Sequence, residues 1–372
     1  MNYEQYVVRR ADLHNTAYKI THDKALTVAF MGGSVSDGMG SNFPEGSLRG
    51  GYRSRFMAHL RQTFDTVEFT EIRDTLGGNG SQYGVYIAEQ FVASQKPDLV
   101  FIEYAVNNMY DGVTSEQLLW NHYETIIHKI RRANPCADIV LLYVSDRIDR
   151  SAAIIPILEQ IAEKYQLISV HFYKAIADSL QENGYEWDEY YLNAKGSVDG
   201  VHPNANGYDV MTEALKCMVS AIDTEKTYTY DALLTPTPKA PLQEQANAFL
   251  NSTLGMLPVG WEKAQRFSYA GEKYNGCIQT KTDNPITVTF KGDYFGVLVE
   301  FGPECGVLEY VIDGGEVQTL DCNLGYSNPK ARILLQNAEN TEHVITLKLQ
   351  AVEERRMAIA AFLLNGTVLG IK

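Results

Sequence analysis

The chain has 372 residues, of which 45% are hydrophobic, and a formal net charge of −14. This length suggests two domains, since one domain usually takes roughly 100–200 residues, and the composition is sufficient for ordinary globular cores. The acidic balance disfavours a nucleic-acid backbone or an anionic membrane surface as a partner, so a neutral substrate is expected.

The cysteines and the N-terminus indicate the cellular compartment in which the protein is expected. The five cysteines are odd in number and lack a C-x-x-C spacing, which predicts reduced thiols and no structural zinc site. The first ten residues contain no apolar segment of a secretory signal, so a cytoplasmic protein is expected, although a mature chain whose signal had been removed would look the same. No stretch approaches the roughly 18 apolar residues of a membrane-spanning helix. The oligomeric state is not indicated.

Predicted strands and helices alternate from residue 26 to residue 222. The strands are predicted over 26–31, 67–72, 98–104, 138–144 and 167–171, and the helices over 52–64, 85–94, 115–132, 152–165, 172–182 and 208–222. The strands 98–104 and 138–144 are nearly continuous apolar runs, as is typical of strands buried on both faces of a parallel sheet. We therefore predict a three-layer α/β/α sandwich around a five-stranded parallel sheet.

The natural strand order for such a sheet is the flavodoxin-like order, 2-1-3-4-5. It places the switch point, where ligands bind outside the carboxyl ends of strands, between the first and third strands. The loops after the first three strands contain Ser34, Gly78 and Asn107, so these residues are expected to line one crevice.

The composition changes after residue 225. A proline-rich segment, 235–241, indicates a linker. Beyond it, a hairpin turn is predicted at 313–315, and short apolar runs indicate strands over 286–290, 295–301, 306–312, 344–349 and 358–364. We predict an α/β domain over 1–225, a linker over 226–247 and an antiparallel β-sandwich of the jelly-roll type over 248–372.

Ser34 follows the first predicted strand, directly after Gly32 and Gly33. The glycines allow a sharp turn and a close backbone approach. The turn would present one hydroxyl at the carboxyl end of a buried strand. An ordinary strand-to-loop junction with a capping serine would have the same local sequence.

Asp199 and His202 lie three residues apart on one short predicted loop. This spacing lets the imidazole reach a hydroxyl while the carboxylate bonds the other ring nitrogen and fixes the tautomer. The alternative is an aspartate that caps the following helix, beside a solvated histidine.

Asn107 and the glycine pair Gly77-Gly78 could serve the same reaction. The Asn107 side chain offers amide donors to a developing oxyanion, and a backbone N–H of the glycine turn could reach the same point. The alternatives are a turn asparagine and a plain glycine turn.

In this order, the four features resemble the signature blocks of the SGNH hydrolase superfamily, also called GDSL esterases, over about residues 25–222. The first block is usually Gly-Asp-Ser and here reads Gly32-Gly33-Ser34, so a glycine replaces the aspartate. The third is usually Gly-x-Asn-Asp and here ends in Asn107-Asn108. The second block, around Gly78, and the fourth, Asp199-x-x-His202, keep their functional residues.

The resemblance implies a serine esterase. Ser34 would attack the ester carbonyl, His202 would take the serine proton and return it to the leaving alcohol, and Asp199 would orient His202. The oxyanion hole would consist of the N–H groups of Ser34 and Gly78 with the Asn107 amide. This chemistry needs no metal ion and no cofactor.

Two features indicate the substrate. The loop 182–191, which contains Trp187, is rich in aromatic and polar residues suited to sugar binding, although a partly buried structural loop would look the same. The β-domain resembles the carbohydrate-binding-like modules of bacterial mannan acetylesterases. Its loop 323–328 offers Tyr326 as a stacking residue, unless the loop is a plain hairpin tip.

We therefore expect an esterase that removes O-acetyl groups from plant-type oligosaccharides, such as mannan or xylan fragments. One alternative is an SGNH esterase, lipase or thioesterase acting on another acyl substrate. Another, of a different class, is a glycan-binding protein with an inactive hydrolase domain, which the glycine at position 33 keeps open.

Overall fold

The computed structural model describes residues 1–41, 50–264, 274, 276–350 and 354–372. The chain divides into two units, Met1–Leu242 and Gln243–Lys372. None of the helices in the described ranges is both long and apolar enough to span a bilayer.

The first unit is built on a six-stranded sheet. Its strands are β1 (Val7–Val8), β2 (Ala25–Gly32), β3 (Glu68–Thr75), β4 (Leu99–Glu103), β5 (Asp138–Leu142) and β6 (Ile168–Val170). They lie in the order β1-β6-β5-β4-β2-β3, and every pair is parallel except β1 with β6. The predicted order 2-1-3-4-5 is confirmed for the parallel strands. The structure adds the antiparallel edge strand β1, whose two residues leave no periodic pattern in the sequence.

Helices cover both faces of this sheet. They are α1 (His14–Tyr18), α2 (Ser34–Asp37), α3 (Tyr52–Thr63), α4 (Ser81–Ile87), α5 (Ala105–Asp111), α6 (Glu116–Ala133), α7 (Ile155–Tyr165), α8 (Phe172–Asn183), α9 (Asp188–Tyr191) and α10 (Ala205–Val219). Single turns of 3₁₀ or π helix occur at Tyr3–Tyr6, Lys19–Asp23, Ala88–Val92, Ala93–Gln95, Arg150–Ala153 and, in the second unit, Asn251–Thr253. Every residue of β4 and β5 is buried, as the predicted three-layer arrangement requires.

The short helices α2 and α5 begin directly after strands β2 and β4, in segments predicted as loops. Helix α2 has four residues and ends at Gly38, whose φ of 86° lies in the left-handed region that favours glycine. A Cβ atom at this position would also lie 2.9 Å from the backbone nitrogen of Gly51. Helices of this length are too short to produce a 3.6-residue pattern of apolar side chains.

The segment predicted as a linker, residues 226–247, is divided between the two units. Up to residue 242 it lies against the first unit: the N–H of Leu233 donates to the Pro135 carbonyl at 2.8 Å. The N–H groups of Lys239 and Ala240 donate to the buried carboxylate of Glu124, each at 2.8 Å. A proline-rich composition therefore marks an ordered strap here, because the N–H groups of Leu233, Lys239 and Ala240 find acceptors on the α/β unit.

The second unit is an antiparallel, sandwich-like β structure. Its strands are β7 (Ala246–Leu250), β8 (Trp261–Ala264), β9 (Cys277–Thr280), β10 (Ile286–Phe301), β11 (Val307–Ile312), β12 (Gln318–Asp321), β13 (Asn328–Leu335), β14 (Thr341–Leu349) and β15 (Met357–Ile371). Strand β10 pairs with β14 in its first half and with β13 in its second. Its pairing with β15 shifts register between Gly292 and Tyr294. Two separate strands, 286–290 and 295–301, were predicted in place of β10, because the polar residues next to this bulge interrupt the apolar pattern.

Candidate active site

The first catalytic candidate, Ser34, lies where β2 ends and α2 begins. Its hydroxyl oxygen is 2.7 Å from Nε2 of His202, which is 168 residues further along the chain. Nδ1 of the same ring is 3.0 Å from Oδ2 of Asp199. Because a carboxylate only accepts hydrogen bonds, Nδ1 carries the proton and Nε2 is free to accept from the serine hydroxyl. The structure therefore brings the three predicted residues into one hydrogen-bonded chain.

Asp199 is held as a carboxylate by its own loop. Oδ1 accepts the backbone N–H groups of Val201, at 2.7 Å, and His202, at 2.9 Å. Burial by itself would raise the pKa of Asp199, but the hydrogen bonds and charge of His202, with the backbone donors, lower it to about 2. The following helix, α10, is capped by Asn204 instead, which accepts from the N–H groups of Asn206 and Gly207. Asp199 is thus not a helix cap.

Two neighbouring segments fix the position of this loop. The indole N–H of Trp187 donates to the Asp199 carbonyl oxygen at 3.0 Å, and the indole ring stacks on Tyr191 at 3.9 Å between centroids. The N–H of Arg147 donates to the Gly200 carbonyl oxygen at 2.8 Å. The structure therefore gives Trp187 a supporting contact to the aspartate loop, in addition to the substrate role that its sequence context suggested.

Asn107 and Gly78 lie on the other side of the serine. A Cβ atom on Gly33 would be only 1.8 Å from the amide nitrogen of Asn107, so this amide lies directly against the backbone that precedes Ser34. Gly78 has a φ of 70° in the turn after β3. That turn is tied to the end of β2 by the N–H of Leu76, which donates to the Gly32 carbonyl at 2.9 Å. Asn107 and the glycine turn thus both flank the end of β2. The other predicted contact residue, Tyr326, is an exposed side chain of the second unit.

The sequence model of the GDSL-like lipase/acylhydrolase family matches residues 30–210. The first unit belongs to this family. It follows that the protein is a carboxylic ester hydrolase. No curated relative matches the chain at a significant level.

Two solved structures share the fold over the whole chain. A two-domain esterase (CEX) described as active on acetylated mannans is 21% identical, with a TM-score of 0.81 and 100% coverage of both chains. The same esterase co-crystallised with mannopentaose is 22% identical, with a TM-score of 0.80, and the match covers 99% of this chain and 98% of that one. At this level of identity the likeness establishes the fold of the GDSL domain and of the β unit.

The structure explains why this GDSL domain lacks the usual aspartate before the serine. The backbone at Gly33 is extended, with a φ of −98° that any residue can adopt. A side chain at this position would instead displace the Asn107 amide, which occupies the volume of the missing Cβ. The glycine therefore permits a close approach of Asn107 to the backbone of the nucleophile. The contact between Ser34 and His202 is present in this arrangement.

Asn108, which replaces the usual aspartate of the third block, connects the glycine turn to α5. Its Oδ1 accepts the N–H of Ser81 at 2.7 Å and the Ser81 hydroxyl at 2.9 Å. A carbonyl oxygen supplies these acceptor sites without placing a charge in a fully buried position. No role for Asn108 was expected from the sequence, although its place beside Asn107 was the available signal.

A buried carboxyl group, Glu103, lies beneath the nucleophile and was also missed. Its Oε2 accepts the Ser36 hydroxyl at 2.9 Å and the Gly33 N–H at 3.4 Å. The Ser36 oxygen is in turn 2.6 Å from the Tyr52 hydroxyl. Burial raises the pKa of Glu103 to about 7. The available sequence signal was a lone acidic residue at the end of an otherwise apolar strand.

Among the described residues, no group of three or more histidine, cysteine or acidic side chains is arranged to hold a metal ion.

Proposed function

We propose that the protein removes O-acetyl groups from plant-type oligosaccharides, such as mannan or xylan fragments, through an acetyl-serine intermediate. The observation that carries the proposal is the 2.7 Å contact between the Ser34 hydroxyl and His202 Nε2, with Asp199 on the other ring nitrogen. A serine, a base and an orienting carboxylate in this geometry are the requirements for acyl transfer.

In the proposed reaction, Ser34 Oγ attacks the acetyl carbonyl carbon while His202 Nε2 takes the hydroxyl proton. Asp199 stabilises the imidazolium, and the Asn107 amide with the N–H groups of Ser34 and Gly78 stabilises the oxyanion. The bond to the sugar oxygen then breaks, and His202 returns the proton to the sugar hydroxyl. Water attacks the acetyl-serine with His202 as the base, which releases acetate and restores the serine.

The assignment of the nucleophile is tested with p-nitrophenyl acetate. The variant Ser34→Ala should lose at least about 10³-fold in kcat, in line with removal of a triad member. The melting temperatures of the two proteins control for folding. Equal turnover by the wild type and the variant would remove Ser34 from the mechanism.

The preference for acetate is tested with a series of p-nitrophenyl esters of increasing acyl length. The proposal expects a steep fall in kcat/KM beyond acetate. Faster turnover of long chains would instead favour an esterase for lipids or another acyl substrate. Release of acetate from acetylated mannan and xylan oligosaccharides then identifies the sugar.

The second unit is proposed to bind the carbohydrate part of the substrate. The support is the full-length fold likeness to an esterase described as active on acetylated mannans, together with the exposed Tyr326 on the loop before β13. The match of the first unit to an acylhydrolase family speaks against the third expectation, a glycan-binding protein with an inactive hydrolase domain, which would bind oligosaccharides without any ester turnover.

A further inference from the structure

A fixed aromatic side chain lies at the carboxyl edge of β4 and β5, next to the proposed catalytic residues. Tyr110 is on α5, after β4, and is 52% exposed. Asp146 and Arg150 belong to the segment that follows β5. We call these three residues the Tyr110 platform. The sequence did not indicate this cluster, because Tyr110 comes from one segment and the other two residues from another.

The platform is close to the reacting groups on two sides. Tyr110 lies three residues after Asn107 on the same helix, which puts the two side chains on one helix face about 4.5 Å apart along the axis. On the other side, the N–H of Arg147 donates to the carbonyl of Gly200, within the loop that carries Asp199 and His202. The segment after β5 is therefore anchored to the catalytic loop.

The Tyr110 ring is held in one orientation. Its hydroxyl donates to Asp146 Oδ2 at 3.1 Å and accepts from Arg150 Nη1 at 3.0 Å. The Arg150 guanidinium also pairs with Asp146 and lies 5.5 Å from the Tyr110 ring centroid. Asp146 is nearly fully buried, and its Oδ1 accepts the Arg150 backbone N–H at 3.0 Å. An exposed aromatic ring that is already ordered loses little entropy when a ligand packs on it.

The charge of the platform indicates a neutral ligand. Arg150 is paired with the carboxylate of Asp146, so the cluster has no excess charge to attract an anion. A guanidinium has five N–H donors, which leaves donors beyond those bonded to Tyr110 and Asp146. A flat apolar ring beside free donors matches a pyranose, which has a face of C–H groups and a rim of hydroxyls.

We propose that Tyr110 and Arg150 form a subsite for a neutral sugar ring of the substrate, with Tyr110 packing on the C–H face and Arg150 donating to hydroxyls. This inference rests on the proposed function and extends it, because it puts a specificity-determining contact inside the catalytic unit. It differs from the sequence-based expectation, which sought the sugar contacts at Trp187 and Tyr326.

The test compares a substrate that contains sugar rings, an acetylated oligosaccharide, with one that contains none, p-nitrophenyl acetate. Tyr110→Ala should lower kcat/KM for acetylated manno- or xylo-oligosaccharides about 10-fold or more, mainly by raising KM. The free energy lost with a preordered aromatic contact corresponds to a change in affinity of about this size. On p-nitrophenyl acetate, kcat/KM should stay within about twofold. Tyr110→Trp, which keeps an aromatic face, should retain most of the activity on oligosaccharides.

A control is Leu234→Ala, because Leu234 is an exposed apolar side chain of the same unit, at 79%, on the strap over residues 226–242 and outside every proposed sugar contact. This variant should leave kcat/KM unchanged for both substrates. An equal loss on both substrates in Tyr110→Ala would make Tyr110 a mere support for Asn107 and would overturn the subsite. No loss on either substrate would overturn it as well.

An inhibition experiment separates this inference from the proposed function. Unacetylated mannopentaose and xylopentaose are added to the p-nitrophenyl acetate assay, and the more effective one should inhibit the wild type competitively. Its inhibition constant should rise about 10-fold or more in Tyr110→Ala. If the wild type is inhibited but does not deacetylate oligosaccharides, the proposed function fails and the subsite stands. If neither sugar inhibits the wild type, the subsite is overturned.

Discussion

At the scale of single residues, the most informative position is Gly33, where the family usually has aspartate. The side chain that the family pattern would supply is replaced here by the amide of Asn107. Sequence comparison alone would treat this glycine as a loss of function. The packing instead makes it a condition for keeping Asn107 beside the nucleophile.

Restoring the usual aspartate should therefore impair the enzyme. In Gly33→Asp, the new Cβ would meet the Asn107 amide nitrogen at 1.8 Å and displace it. The loss of one oxyanion donor lowers kcat by about 10²–10³, which can be measured with p-nitrophenyl acetate. Because the backbone at Gly33 is extended, the change adds no backbone strain. Wild-type kcat in this variant would show that Asn107 is not an oxyanion donor.

Glu103 should make stability depend on pH. Burial raises its pKa from 4.5 to about 7 in the folded chain. Between these values the unfolded chain releases a proton that the folded chain retains, so the free energy of unfolding falls as pH rises. The fall is on the order of 3 kcal/mol over this window.

The variant Glu103→Gln has no group to titrate at this position, so its stability should fall less between pH 4.5 and 7 than that of the wild type. Urea unfolding at several pH values measures the difference. Comparing the two proteins cancels the contribution of other titrating groups to the pH dependence. One such group is Asp138, since burial also raises its pKa to about 7. Parallel stability curves for the two proteins would contradict the prediction.

At the scale of elements, the aspartate loop depends on its supports. Trp187 donates its indole N–H to the Asp199 carbonyl. Trp187→Phe should keep the stacking on Tyr191 and lose this hydrogen bond. Its net contribution of about 0.5–1.5 kcal/mol corresponds to a roughly two- to thirteenfold fall in kcat. The fall should be equal for p-nitrophenyl acetate and for acetylated oligosaccharides, with KM unchanged. A rise in KM for the oligosaccharide alone would make Trp187 a substrate contact.

The elements that could be predicted are those with a long local pattern. The parallel strands β2 to β6 follow from apolar runs, and Ser34 and Asn107 follow from their places after the ends of those runs. The Asp199–His202 pair follows from its three-residue spacing on one loop. Strand β1 and helices α2 and α5 could not be predicted, because two to seven residues show no period. The Glu103 contacts and the Tyr110 platform could not be predicted either, since they depend on which distant segments meet.

At the scale of the whole molecule, the contribution of the second unit is open to a direct measurement. Tyr326, which is 63% exposed, is its proposed sugar contact. Tyr326→Ala should raise KM for acetylated oligosaccharides severalfold and leave p-nitrophenyl acetate hydrolysis unchanged, because only the former has a glycan to bind. Val317→Ser, at a residue of the same unit that is 59% exposed, serves as the matched control. Identical KM values in the wild type and both variants would count against a glycan contact at Tyr326.

The distance along the chain between Ser34 and His202 has a consequence for biosynthesis. The nucleophile directly follows β2, early in the GDSL domain, and its base follows 168 residues later, in the loop before α10. Asp199 and His202 arrive together, already joined by the backbone bonds of their own turn. A nascent chain therefore exposes a serine without a base until nearly the whole GDSL domain has been translated. Esterase activity should therefore appear late and abruptly during synthesis of the domain, which makes it a reporter for docking of α10.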